Sequence, residues 1–503
     1  MSESNSVDAQ RFHEGTNYPG GEFLGEWPTL DPATRPSPYK IYTTLDPIPL
    51  PTSFPASPKP VFDAIRDMTD QDGGGVPDLD ALARVLFFSN GVTKHIRRGG
   101  RDWPFRAAPC TGALYHVELY VVCGELPGLA AGVYHYGAHD NRLRQLRSGD
   151  FRRMLNDATG SVAHAPAIVV ATSTFWRNAW KYQARAYRHT YWDTGTMLPN
   201  TLATASSVGV PARVVMGFVD ESVNRLLDVD GEQEFAVALV PLGRAAARAP
   251  VAPPVSPLDL PFDELPRPEL DEPAIRAAHA ASSLATADDV IAWRGVEQLP
   301  KERSAVEGLV PLQPLLEREL PMEPVETVIL RRGSTRQFTH DAITWPQLST
   351  ILSTAATDVA TDIGQASLHS LGDVYLIINA VDGVAPGTYV FYPDHDGLEP
   401  LVAGNFRAAA QHLALDQDLG GDAAVNIYVM TDLAEVSAAL GNRGYRAAQL
   451  AASIFAGKVY LASYALGVGA TGLTFWDNDV TEFFAPHATG KRPMFLVAVG
   501  HKA

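Results

Sequence analysis

Cysteine is almost missing from this 503-residue chain, with Cys110 and Cys123 the only two. That is too few for a disulfide framework or a cysteine-bound metal cluster, and it fits a reduced compartment. Positive charge is also scarce. Lys and Arg number 40 against 57 Asp and Glu, a formal net charge of -17. Such a balance argues against nucleic acid, whose phosphates need a basic surface. Long apolar runs are lacking too. The first twenty residues are polar, no segment among them reads as a signal peptide, and no run of about eighteen apolar residues follows. The expectation is a cytoplasmic protein with no membrane or nucleic-acid partner and no bound metal.

What is present is ordinary for a globular chain, 46% apolar and 19% charged, long enough for two to four domains. Residues 1–60, rich in Pro, Asp, Ser and Thr, read as an extended arm. Residues 61–244 form a first globular unit. Helical spacing covers Val61–Met68, Leu79–Phe88 and the small-residue stretch Leu198–Val208. Leu119–Val122, Ala167–Thr172 and Phe235–Val240 are β-rich runs. Residues 245–320 follow as a Pro-rich linker and connector, with one helix expected over Ala274–Trp293. Residues 321–503 form a second unit. Its strands are Val374–Asn379, Ala424–Met430 and Met494–Val499, and its long helix runs over Tyr445–Leu466.

The two units repeat each other. Gly132-Val-Tyr134-His-Tyr136 parallels Gly387-Thr-Tyr389, and Arg185-Ala-Tyr187-Arg188 parallels Arg443-Gly-Tyr445-Arg446. Val208-Gly209-Val210 parallels Leu466-Gly467-Val468, and Leu242-Gly243 parallels Val499-Gly500. Four motifs kept in order at nearly constant separation (443 against 185, 467 against 209) mark a duplicated module. A duplicated module most simply folds as a pseudo-dimer. The tyrosines retained in both copies, Tyr187 and Tyr445, read as core.

Only the second unit carries Arg332, Ser334 and Arg336. Two-residue spacing in an extended segment sends all three side chains to one side, a socket for a compact dianion. This Arg-x-Ser-x-Arg run, followed by Phe338, resembles the signature of the FMN-dependent nitroreductase family, where it holds the flavin's phosphate, ribityl chain and pyrimidine edge. Only the first unit carries Pro109-Cys110-Thr111-Gly112-Ala113-Leu114-Tyr115, which resembles the Pro-Ser-x-Gly-Ala-Leu-Tyr run of the SagB-type (azoline) dehydrogenase branch. Cys110 stands where that branch has serine. In the second unit the corresponding stretch, Gln365 to Tyr375, has lost the pattern.

The resemblance implies an α+β fold: two nitroreductase-like domains, each a central mostly antiparallel sheet flanked by helices, fused as an intramolecular pseudo-dimer. Family homodimers build each flavin site from both subunits, so one complete FMN site per chain is implied, its symmetry mate degenerate. Gly472, Leu473 and Thr474 match a loop passing over the flavin ring, and Lys491 and Arg492 match late basic residues near the phosphate. Lys181-Tyr182, within Lys-Tyr-Gln-Ala-Arg185-Ala-Tyr187-Arg188, resembles the pair implicated in catalysis in SagB-type enzymes, which oxidise azolines in peptides to azoles. A lysine base needs a lowered pKa, for which Arg177, Arg185 and Arg188 are the expected cations. His13-Glu14-Gly-Thr16 and Tyr39-Lys40-Ile-Tyr42 resemble segments preceding the SagB-type domain, which implies an ordered arm. His189, close to Asp193 in sequence, is left outside the catalytic set as a packing residue. The leading reading is thus an FMN-dependent oxidoreductase acting on a small-molecule or peptide substrate. An NAD(P)H-dependent nitro or quinone reductase is the alternative, and a flavin-free module that binds a peptide or partner is the third.

Overall fold

A computed structural model describes residues 4–18, 30–68, 75–98, 100–245, 247–263, 271–296, 307–363 and 368–503. Parts of the expected arm (19–29), of the linker and connector (264–270, 297–306) and of the degenerate second loop (364–367) lie outside the described residues.

The first half opens with helix α1 (Ser4–Gly15), strand β1 (Pro47–Pro49) and helices α2 (Val61–Arg66) and α3 (Leu79–Asn90). Asp78 starts α3 by accepting from the Ala81 N–H, and Leu82, Val85 and Leu86 turn inward at helical spacing. A hairpin of β2 (Val92–Arg98) and β3 (Arg101–Arg106) leads to β4 (Val117–Cys123), β5 (Gly132–Gly137) and β6 (Arg142–Ser148). Helix α4 (Arg152–Ala158), β7 (Ala167–Ser173), α5 (Trp176–Tyr182), α6 (Ala186–Ser207), α7 (Asp220–Leu227) and β8 (Phe235–Leu242) complete it. Helices α8 (Pro273–Ala281) and α9 (Ala287–Arg294) occupy the connector. One helix was expected there; two form, because Thr286 and Asp289 make a capping box that starts the second afresh.

The second half repeats the plan: β9 (Val310–Pro311), α10 (Val325–Arg331), β10 (Ile343–Thr344), α11 (Trp345–Ala355), β11 (Asp373–Ile378) and β12 (Val381–Asp382). Then come β13 (Gly387–Tyr392), β14 (Gly397–Ala403), α12 (Arg407–Leu413), α13 (Asp418–Asp422) and β15 (Val425–Thr431). The 33-residue α14 (Leu433–Ala465), β16 (Gly469–Leu473), α15 (Asp477–Phe483) and β17 (Arg492–Gly500) close the chain.

Among the described residues each half holds one large antiparallel sheet, ordered β1-β6-β5-β4-β7-β8 and β16-β17-β15-β11-β13-β14-β9, beside a two-stranded one, β2-β3 and β10-β12. The fold is the expected α+β pair. Every residue of β4, β7 and β8 is buried, because α4 and α7 cover one face and α3 and α6 the other. The Pro-rich segment packs on the first half: Arg147 donates to Ser256 O at 2.7 Å and the Leu258 N–H to Asp228 at 2.9 Å. No helix among the described residues is long and apolar enough to cross a membrane.

Helices α6 and α14 pack on each other at the centre. All 22 residues of α6 are buried. A Cβ on Gly195 would lie 2.4 Å from Ser453 Cβ, and one on Gly457 would lie 2.9 Å from both Pro199 Cγ and Thr196 O. Glycine alone allows so close an approach at these two reciprocal points. Around this crossing the repeated arginine pairs reach into the opposite half. Arg185 and Arg188 bind Asp477 at 2.8 and 2.6 Å, while Arg443 and Arg446 bind Asp220 at 2.5 and 2.6 Å. The same guanidiniums seat the helices preceding each half. Arg188 Nε donates to Thr16 Oγ1 at 3.0 Å and Arg446 Nε to Ser282 Oγ at 2.7 Å. The N-terminal segment is accordingly ordered at α1.

Asp477→Ala leaves two buried guanidiniums without a carboxylate. Urea denaturation should show a loss of about 3–5 kcal/mol, as for other broken buried pairs; a loss under about 1 kcal/mol would contradict the role. Burial alone would raise the Asp220 pKa, but Arg443 and Arg446 hold it down at about 2. Its contribution is therefore complete above the ordinary carboxylate range and declines as pH falls toward about 2.

Candidate active site

Helix α10 ends at Arg332, whose backbone turns extended (φ -57, ψ 138) before Gly333. Its buried guanidinium crosses to the first half: Nε and Nη2 donate to Ala107 O at 3.0 and 2.7 Å, and Nη2 to Arg106 O at 3.3 Å. Asn200 of α6 donates to the same Ala107 carbonyl at 3.2 Å. Ser334 Oγ lies 3.5 Å from the Tyr460 hydroxyl, which also accepts the Gly472 N–H. Thr335 turns the other way, to Tyr464 OH at 3.2 Å. Arg336 is exposed, and its charge is felt by Tyr182 of the first half. Gly472 and Leu473 belong to strand β16, paired with Val497 and Leu496, where a loop was expected. Thr474 follows directly, with its Oγ1 buried and without a partner among the described residues.

The facing loop is Pro109 to Leu114. Gly112, Ala113 and Tyr115 all have positive φ (65, 51 and 47). Two of these are not glycine, so the surrounding structure must hold the strain. The holder is Asp193 of α6. Its carboxylate accepts from Thr111 N (2.9 Å), Thr111 Oγ1 (2.8 Å), Cys110 Sγ (3.0 Å) and His116 Nε2 (2.8 Å). Burial and Asp193 push the Cys110 thiol well up, which keeps it a donor. The Tyr182 hydroxyl lies 3.0 Å from where a Cβ on Gly112 would sit. The Tyr182 ring meets His189 edge-on at 4.6 Å, and Lys181 Nζ lies 5.0 Å over the Tyr182 ring. Tyr182 is pushed up, first by burial, whereas Lys181 is lowered, first by burial and then by Arg35.

Several sequence-based expectations are corrected. Arg177, Arg185 and Arg188 do not serve Lys181, because each is committed to a buried carboxylate: Arg177 to Glu118 at 2.5 Å, the others to Asp477. His189, expected only as a packing residue, lies 4.9 Å from the Trp192 ring, meets Asn178 Oδ1 at 2.6 Å and leaves Nε2 buried without a partner among the described residues. Lys491 and Arg492 do not join the Arg332 cluster. Arg492 begins β17 and Lys491 precedes it; Lys491 binds Asp373 at 2.8 Å and Arg492 approaches Glu14 at 3.4 Å. Thr335 and Phe338 instead neighbour the other end of that strand, which at 3.3–3.4 Å per residue lies roughly 27 Å away. The late basic residue on the Arg332 side is Lys502, its amine 4.4 Å over the Tyr464 ring. Lys502 and His116 were missed. His116 was legible only as one letter within the Tyr115-His-Val-Glu118 run.

The fold thus sets a guanidinium-and-hydroxyl group against a loop of small residues, chemistry suited to a compact anion at one end and a planar ring at the other. The family model described as "Nitroreductase family" matches residues 92–244 and 329–501. The chain belongs to the nitroreductase family. It is an oxidoreductase of that family in two tandem copies. Among similar proteins, a nitroreductase of Methanocaldococcus jannaschii is 27% identical over 169 residues, 33% of this chain and 80% of that protein. The trifolitoxin-processing protein TfxB of Rhizobium leguminosarum is 27% identical over 169 residues, 32% of this chain and 45% of its own. The microcin B17-processing protein McbC of Escherichia coli is 26% identical over 133 residues, 25% of this chain and 49% of its own. The chain therefore spans about half the length of the two processing proteins. A nitroreductase structure from Anabaena variabilis overlays 99% of both chains with a TM-score of 0.77 at 24% identity, which shows the shared fold.

At the pseudo-symmetric position the second half has a different interior. Lys458, the counterpart of Asn200 along α14, donates to Thr357 O and, at 3.2 Å, to Thr357 Oγ1. It lines a cavity with His369, Leu371, Gly372 and Phe455, and Met68 takes the place of Arg332. Burial lowers the Lys458 amine to about 7. At or below that pH both folded and unfolded chains hold the proton, and the folded chain bears the full burial cost. Between about 7 and 10 the unfolded chain holds more protons, so stability rises with pH. Lys458→Met should raise stability by on the order of 2 kcal/mol near pH 6, with the gain shrinking by pH 10. Urea denaturation at both pH values checks this, and a gain independent of pH would contradict it.

Proposed function

We propose that the chain is an FMN-dependent dehydrogenase of SagB type that oxidises an azoline-like ring in a small molecule or peptide. The observation that carries the reading is the bond from Arg332 to Ala107 O. It brings the arginine motif of one half against the small-residue loop of the other.

The residues fit a flavin mononucleotide. Arg332, Ser334 and Arg336 supply donors suited to a phosphate and its polyol chain. Pro109 to Leu114 on one side and Gly472 to Thr474 on the other are small enough to admit a ring. The unpartnered Thr474 Oγ1 and His189 Nε2 leave polar capacity aimed into protein rather than water. Bound FMN would supply the two-electron acceptor.

The remaining chemistry belongs to the chain. Oxidation of an azoline to an azole removes a proton and a hydride from adjacent carbons. Lys181 lies at the mouth with no hydrogen bond or carboxylate among the described residues, and its amine is lowered from the usual lysine range. Both features favour a neutral fraction able to take that proton. Tyr182, held protonated by burial, donates toward the reacting ring. The likeness to TfxB and McbC, both processing proteins, supports a peptide-derived substrate.

Purified protein should carry close to one FMN per chain by absorbance. Lys181→Ala should keep the flavin and lose azoline oxidation by roughly a hundredfold or more, while Arg332→Ala should lose FMN affinity by roughly tenfold or more. Flavin bleached rapidly by NAD(P)H, with azolines inert, would replace this reading by a nitro or quinone reductase. A protein that takes up no added FMN would end it.

A further inference from the structure

Beside the mouth of the cleft, the arm runs over the first half as a stiff strap with Pro32, Pro36 and Pro38. It is fastened along its length. Trp180 Nε1 donates to Thr34 Oγ1 at 2.6 Å, Arg106 donates to Pro38 O, and Lys40 binds Glu234 at 2.7 Å. Arg35 sits within this strap. One guanidinium nitrogen donates to Ala113 O at 3.1 Å, in the strained loop, and the guanidinium lies 4.7 Å over the Trp103 ring of the hairpin. Its remaining N–H groups have no acceptor among the described residues. An indole covers the face while the donor edge stays open, which is how a guanidinium is held ready for a planar oxyanion.

The surrounding charge is unusual for this chain. Many of its other arginines take carboxylates, as in Arg84–Glu326 and Arg144–Asp140. Around the mouth, Arg35, Lys181 and Arg336 have no carboxylate within ion-pair reach among the described residues. A chain of net charge -17 thus presents an uncompensated positive opening, which attracts an anion and holds it close. Arg336 belongs with the Arg332 motif of the second half. Arg35 comes from the arm, on the Gly112–Ala113 side, and is separate from that set.

We infer that Arg35 docks a carboxylate of the substrate, so that the substrate class is an azoline bearing an acid group near the ring. This deepens the reading of the site given above and rests on it. Lys181 is a poor anchor for the same acid, because a carboxylate paired with it would raise its pKa and hold it protonated. A guanidinium in the position of Arg35 takes the anion without that cost to the base.

The test uses the FMN-loaded full chain in a Lys181→Ala background, titrated calorimetrically with phenylthiazoline carboxylic acid and with its methyl ester. The acid should bind roughly ten- to hundredfold more tightly than the ester. Arg35→Ala and Arg35→Gln should each abolish that preference, and Arg35→Lys should restore part of it. Equal affinities with Arg35 intact, a preference that survives both Arg35 variants, or no binding of either compound would overturn the inference. Flavin bleaching during the titration would instead show that Lys181 is dispensable. That outcome sinks the assignment of the base and leaves the acid-to-ester ratio to report on Arg35 alone.

Discussion

Two buried aspartates hold this molecule in its working arrangement. Asp477 receives two guanidiniums from the first half and Asp220 two from the second. Neither set can be satisfied at home. A half folded alone would bury two cations beside no anion, or an anion beside no cation, at a cost of several kcal/mol. Reciprocity makes each half a condition of the other. The arginines also donate to Thr16 just after α1 and to His279 and Ser282 at the end of α8, so the helices leading into each half are recruited to the same joint. With α6 and α14 pressed together at Gly195 and Gly457, the register between halves is fixed. Arg332 then arrives at Ala107 as a consequence.

The joint is symmetric while the two clefts beside it are not. At one, Arg332 and Asn200 meet on the Ala107 carbonyl. At the other, Met68 has no guanidinium to offer, and Lys458 bends its amine back onto Thr357 of its own half. Fusion permits this divergence. In a homodimer every substitution appears in both sites, whereas a duplicated chain can keep one site and let the other drift, provided the shared joint survives.

The sequence made some of this legible and hid the rest, for physical reasons. The repeated Arg-x-Tyr-Arg segments announced two copies but not the role of their arginines. Ion pairing across nearly three hundred residues leaves no local pattern, so Arg185 and Arg188 were assigned to Lys181 instead. The start of α6 was invisible because a helix buried on all sides among Thr, Ser, Asn and Asp shows no apolar stripe. Strands β5 and β6 carry Gly, His and Arg rather than a β-branched run, and only the first showed itself, as a repeat motif. Lys491 and Arg492 were assigned to the phosphate by resemblance to late basic residues, and a match in sequence order does not say which end of the last strand they occupy. The ends of a nine-residue strand are far apart, and only the pairing of β16 with β17 reveals which end faces Arg332. His116 needed the fold to bring it to Asp193.

The basic residues of this chain sort by what they touch. Where an arginine meets a carboxylate it holds the architecture: Arg84 and Arg294 reach Glu326 and Asp362 across the halves. Three cations beside the candidate site meet carbonyls or rings instead: Arg332 on three peptide oxygens, Arg35 on one and on an indole, Lys502 on a phenol ring. A carbonyl dipole fixes the direction of a guanidinium without neutralising it, so the field of the charge survives for something that arrives later. In a protein so rich in acid, leaving these few cations without a carboxylate has a standing electrostatic cost. Arriving negative charge would offset that cost, and the two ends of the site, one built on Arg332 and the other on Arg35, offer places for two different anions.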